Sequence, residues 1–292
     1  DVVITNYHVV EDYLEVVEKV EEGEVKKVIR QKELGPDEGI FFYFDYLFAP
    51  QPKVPPREGH TSVCVKAAKN WLLQARLKLK GDGTDPAPTP VTDEYDYAVI
   101  RLERAIGRQA SRRSGGAIRG WLPPEDDIDA VTTQRRILVF QHPGAFEQQF
   151  DIGEYIQLDP TSSRVWYTVS TAKGSSGGAA VDSKGKLFAL HNAEVRAAVP
   201  AAMGKSVNQG VRIDVIAKDL KDVVPREPVP DDAGTLFWSL NDDLEDPQPI
   251  LGRAAFREMV TQMSAPDAER VVVVSGPPQS GLNFSLKLLR RT

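Results

Sequence analysis

Along roughly the first 220 residues, short runs rich in β-branched and aromatic side chains alternate with clusters of Gly, Pro, Asn and Asp. That spacing predicts strands at Val2–Ile4, Val25–Gln31, Phe41–Tyr46 and Tyr97–Ile100, because such side chains suit a pleated, half-buried surface. Val63–Leu79 is long enough for two more strands. Tyr13–Val20 mixes apolar and charged residues without a clean period, so helix and strand stay open there until Gly23 ends the run. The aromatic run at 41–46 reads as core. Pro50–Gly59 and Gly81–Pro90 are turn-rich loops, the second delivering the chain to Asp96.

Composition narrows the function. Of 292 residues, 41% are hydrophobic and 27% charged, which is the balance of a chain that folds around a core. A net charge of −6 gives no electrostatic reason to expect a nucleic-acid partner. The single cysteine, Cys64, cannot pair within the chain and favours a reducing compartment, so a cytoplasmic location is expected. No apolar run approaches the length of a membrane span. Nothing in the residue pattern asks for a metal or a cofactor.

The candidate chemistry lies in Thr171-Ala172-Lys173-Gly174-Ser175-Ser176-Gly177-Gly178, which places a serine inside a glycine-rich turn between two strand-like runs. A serine hydroxyl attacks only with a general base beside it and a third group to orient that base. Thr5-Asn6-Tyr7-His8 supplies a histidine directly after an apolar strand, and Asp93-Glu94-Tyr95-Asp96 a carboxylate at the mouth of another. Asp96 is preferred to Asp93 because it directly precedes the apolar run. His142 reads as a turn residue and His60 as a surface residue.

With those residues in the order His, Asp, Ser, the chain resembles bacterial trypsin-like serine peptidases of the chymotrypsin fold. The resemblance extends to Ile137–Gly144, Trp166-Tyr167-Thr168, Phe188–Asn192 and Asn208–Ile213, and covers roughly residues 1–222. It implies an all-β architecture of two antiparallel barrels, each of the six-stranded type, with the site in the cleft between them. It assigns Ser176 as nucleophile, His8 as base, Asp96 as the orienting carboxylate, and the amides of Gly174 and Ser176 as donors to the oxyanion. The substrate would be a protein or peptide. The strands that open the first barrel in this family have no counterpart before Val2, so an open or incomplete first barrel and reduced activity are expected.

The resemblance also bears on specificity. Ser170 stands where trypsin carries the acid that holds a basic side chain. Thr171 and His191 match positions that glutamyl endopeptidases use to hold an acidic one, with Lys173 adding positive charge. Cleavage after Glu or Asp is therefore expected; a packed core histidine is the competing reading of His191. A catalytically impaired, peptide-binding scaffold is the rival reading of the whole.

Four segments are expected: a first barrel with its crossing segment over 1–118, a second barrel over 119–223, an acidic, proline-rich linker over 224–250, and a further domain from 251 to 292. A short closing helix is expected at Ala217–Val223. The last segment, with Arg270–Val274 leading into Ser275–Asn283, looks like the opening of a P-loop NTPase domain, which would make the whole an effector controlled by a nucleotide sensor. Leu282 and Asn283 replace the lysine and hydroxyl that such a loop needs, so hydrolysis there is not expected.

Overall fold

The computed structural model describes residues 2–21, 23–35, 38–46, 62–82, 94–111, 118–122, 124, 128, 136–146, 148–158, 163–182, 185–195, 207–223, 237–239 and 249–251. His60, Asp93 and the Arg270–Asn283 stretch expected to open a further domain lie outside them.

The chain is mostly β, with one closed barrel and one half-barrel. The half-barrel is a sheet in the order β1 (Val2–Thr5), β6 (Tyr97–Leu102), β5 (Val63–Arg76), β4 (Phe41–Phe44), with antiparallel pairing throughout. Between β1 and β4, β2 (Leu14–Glu21) and β3 (Glu24–Gln31) form a separate hairpin. The segment left open between helix and strand is thus strand. Gly23 turns it at φ +85°, a conformation that costs glycine nothing.

Two expectations are corrected here. Where two strands are expected over 63–79, one strand of 14 residues, Val63–Arg76, forms, because β5 absorbs the polar break at Lys69-Asn70 as an irregularity between Ala67 and Leu72. The side chain of Gln31 spans that bulge, donating to the Lys69 carbonyl at 2.9 Å and accepting from the Leu72 amide at 3.2 Å. The aromatic run of β4 is core on one face only. Phe42 and Phe44 pack inward, while Phe41 and Tyr43 are each half exposed, as period-two alternation requires.

Six strands close the second barrel in the order β10 (Ala179–Asp182), β11 (Leu187–Glu194), β12 (Val207–Arg212), β9 (Arg164–Thr168), β8 (Gln149–Leu158), β7 (Arg136–Gln141). Closure leaves no free sheet edge. Helix α2 follows at once, over Ile213–Asp219, several residues earlier than the closing helix expected at 217–223. Ile213 and Ile216 bury into the barrel core and fix that start.

Strand β6 carries the design. All of its residues but Arg101 are buried, and its two faces serve different cores. Ala98 and Ile100 pack with Trp71 in the half-barrel, whereas Tyr97 and Val99 join the cluster built on Ile137, Val139 and Phe188 of the closed barrel. Asp96, immediately before it, is therefore held between the two.

Residues 1–234 form one compact unit and 235–292 another. Within the second, β13 (Phe237–Ser239) pairs antiparallel with β14 (Pro249–Leu251). No helix among the described residues is long and apolar enough to cross a membrane, and no cluster of metal-ligating side chains occurs among them.

Candidate active site

His8 owes its position to its neighbours. It lies in a one-turn helix, α1 (Tyr7–Val10), whose Tyr7 and Val10, three apart and so on one face, are buried against Trp71 and Ile100. The imidazole is left on the other side, facing Asp96, with 18% of its side chain exposed. Its Nδ1 lies 2.9 Å from Asp96 Oδ2 and 3.1 Å from Oδ1, and its backbone N–H donates to Oδ1 at 3.2 Å.

Asp96 is fully buried, and a buried carboxylate must be supplied with donors. Besides His8 it receives the Asn192 amide at 3.4 Å, while its own N–H reaches the Leu77 carbonyl at 2.9 Å. Its φ of +47° is unusual for a residue with a Cβ and costs about 1–2 kcal/mol, which those bonds offset.

The serine turn links β9 to β10. Ser175 is the buried one: its Oγ accepts from the Ala172 amide at 3.2 Å, its N–H donates to the Ala172 carbonyl, and its carbonyl accepts from Gly178. Ser176 is part-exposed. Gly177, at φ +80°, packs so tightly on β1 that a Cβ there would stand 2.6 Å from Thr5 Oγ1. Its N–H donates to Asn6 Oδ1 at 2.6 Å and to the His191 carbonyl at 2.9 Å. The residue after Ser176 is thus bonded to the residue two before His8. No hydrogen bond joins His8 Nε2 to Ser176 Oγ among the described residues.

The peptide between Lys173 and Gly174 has a fixed orientation. Gly144 N–H donates to the Lys173 carbonyl at 2.6 Å, and in a planar trans peptide the Gly174 N–H points the opposite way. Among the described residues neither the Gly174 nor the Ser176 N–H has an acceptor. Gly174 sits at φ +98°, and a Cβ there would lie 2.9 Å from the His142 carbonyl oxygen. His142 is in the turn that receives this peptide, its Nδ1 2.9 Å from the Phe146 carbonyl and its ring 5.8 Å from that of Tyr46.

Of the residues expected to shape specificity, Ser170 and Lys173 are exposed. Ser170 N–H donates to Asp151 at 2.6 Å. Thr171 donates its hydroxyl proton to Asn208 Oδ1 at 2.6 Å, and Asn208 donates to the Val169 carbonyl. His191 is 3% exposed, with Nδ1 2.9 Å from the Tyr167 hydroxyl. Burial, and secondarily the charge of His8, hold its pKa down to about 4. Its Nε2 makes no hydrogen bond among the described residues.

A family model described as trypsin-like peptidase domain matches residues 1–190. The chain belongs to this family. A probable serine protease of Lysobacter enzymogenes is 25% identical over 283 residues, spanning 81% of this chain and 41% of that protein. The chain thus spans less than half the length of this curated relative. Among solved structures, the serine endoprotease from Yersinia pestis is similar at 12% identity and TM-score 0.39, covering 82% of this chain and 56% of that one. The HtrA-type protease AlgW with decapeptide gives 15% and 0.38, covering 76% and 48%.

Sequence reasoning passed over the asparagines of this trypsin-like domain. Asn6, Asn192 and Asn208 each spend a buried amide beside a candidate residue. Asn6 lies within the histidine motif, and Asn192 directly follows His191; adjacency was the available signal.

Proposed function

We propose that this trypsin-like domain is a serine endopeptidase working through His8, Asp96 and Ser176. The observation that carries the reading is the His8–Asp96 pair, with Nδ1 committed to a buried carboxylate, tied through Asn6 to the Gly177 amide beside Ser176. A carboxylate only accepts, so Nδ1 bears the proton and Nε2 is left as the base. Nε2 takes the Ser176 hydroxyl proton as Oγ attacks the scissile carbonyl. The Gly174 and Ser176 amides receive the oxyanion, and the imidazolium returns its proton to the leaving amine. Water then hydrolyses the acyl-serine by the same steps. A base-to-nucleophile distance that is long without substrate is ordinary for such sites.

For specificity we infer a preference for acidic side chains. In the tautomer where the Tyr167 hydroxyl donates to Nδ1 rather than to the more distant Gln209 carbonyl, His191 Nε2 bears the proton and is the donor that remains for a substrate carboxylate, since Thr171 already gives its proton to Asn208. Lys173 adds charge at the rim. An impaired peptide-binding module is the second reading, favoured by the missing His8–Ser176 hydrogen bond. Labelling by an organofluorophosphonate, with Ser176→Ala as control, separates the two: covalent labelling of wild type and not of Ser176→Ala supports the peptidase, and silence of both supports the binding module. A peptide library in which acidic residues gain nothing over neutral ones would remove the specificity.

A further inference from the structure

Asparagine is among the best residues for capping a helix N-terminus, its side-chain oxygen accepting an N–H of the first turn. Asn6 occupies that position before α1, yet makes no side-chain capping bond. Its amide is spent elsewhere. Nδ2 donates to the Asp96 carbonyl at 3.1 Å, and Oδ1 accepts the Gly177 N–H at 2.6 Å. The side chain is fully buried, and its partners lie 90 and 171 residues away.

One amide, carried two residues before His8, therefore ties that segment to the backbone of the other two: to the carbonyl of Asp96 and to the amide that follows Ser176. We propose that Asn6 is a positioning residue which sets the register of the Ser176 turn against the His8–Asp96 pair, and so the reach of Nε2 to Oγ. The inference rests on the peptidase reading above. The physical reason is that the turn belongs to the closed barrel and the pair to the half-barrel. Packing of β6 brings the barrels together, but packing is non-directional, and an amide with one donor and one acceptor fixes a separation and an angle. Gly177 shares its N–H with the His191 carbonyl, so losing Asn6 leaves the turn formed within its own barrel but free to shift relative to His8. A shift of about 1 Å costs about 10²-fold in rate.

The test is Asn6→Ala, with Asn6→Ser, whose single oxygen is too short to bridge both partners, in case the first does not fold. Rates of peptide cleavage and of fluorophosphonate labelling of Ser176 are measured per folded molecule, with folding followed by circular dichroism and thermal melting. The expected result is a fall of about 10²-fold in kcat and in labelling rate, KM changing less than about threefold, in folded protein. Folded variants that keep kcat within threefold, or lose only KM, overturn the proposal, as does failure of both variants to fold. Wild-type protein that neither cleaves nor labels defeats the peptidase reading and this inference with it. Active wild type with an indifferent Asn6→Ala defeats this inference alone.

Discussion

Gly174→Ala separates the oxyanion geometry from the rest of the site. An alanine at φ +98° is held in a conformation that costs about 1–3 kcal/mol for any residue with a Cβ. The new methyl would stand 2.9 Å from the His142 carbonyl oxygen and 3.1 Å from the Ala145 nitrogen, both backbone atoms that cannot rotate away. The turn at 142–145 must retreat, and with it goes the Gly144 to Lys173 hydrogen bond, about 0.5–1.5 kcal/mol. Together these cost about 2–4 kcal/mol of stability, which at about 2–4 °C per kcal/mol lowers Tm by about 4–16 °C. Freed from Gly144, the 173–174 peptide no longer holds its N–H toward the substrate oxygen, and the loss of one such donor lowers kcat by about 10²–10³. KM, set by the remaining contacts, changes little. The assay is steady-state cleavage of a peptide amide at a temperature where melting curves show the variant folded. A folded Gly174→Ala that retains kcat within threefold refutes the assignment of that amide, whatever its Tm.

Other perturbations test different parts. His191 is neutral in the fold down to about pH 4, whereas the unfolded imidazole takes its proton near 6.5, so its contribution is complete above pH 6.5 and is lost as pH falls toward 4. Denaturant unfolding should show about 3 kcal/mol disappearing across that window, and His191→Gln should flatten the slope. Arg164 and Asp82 form an ion pair with both side chains fully buried, and Arg164 also donates to the Glu94 carbonyl, two residues before Asp96. Asp82→Ala strands the guanidinium and should cost about 3–5 kcal/mol by the same measurement, with Asp82→Ala/Arg164→Met recovering part of it. If the single and double variants are equally unstable, the cost is not that of an unpaired charge. Thr171→Val removes a hydroxyl already donated to Asn208 and should lower kcat/KM for a Glu substrate by less than tenfold, while His191→Gln should lower it more; the reverse order in a matched Glu and Gln peptide pair would contradict the assignment of Nε2 as the donor.

Much of the architecture was legible where local chemistry decides it. The runs at 25–31 and 97–100, and 41–44 of the run expected over 41–46, are strands, because β-branched and aromatic residues bounded by turn formers leave few alternatives. Where the letters were ambiguous, pairing resolved them. Residues 14–21 became strand because 24–31 lies opposite in register across Gly23, and Lys69-Asn70 was absorbed because Gln31, far off in sequence, satisfies the backbone there.

The sequence by itself determined the family, the serine turn, and the candidate histidine after β1 and candidate carboxylate before β6, since these are written in short contiguous motifs whose spacing the chain cannot alter. Tertiary structure alone decided that Asp96 would be drawn between two cores, that Thr171 would give its proton to Asn208, and that Asn6 would forgo its own helix for Asp96 and Gly177. A side-chain amide or hydroxyl carries donors and acceptors but no address. Which partner it takes depends on what burial brings within about 3 Å, and that is settled by the packing of strands far apart in the chain.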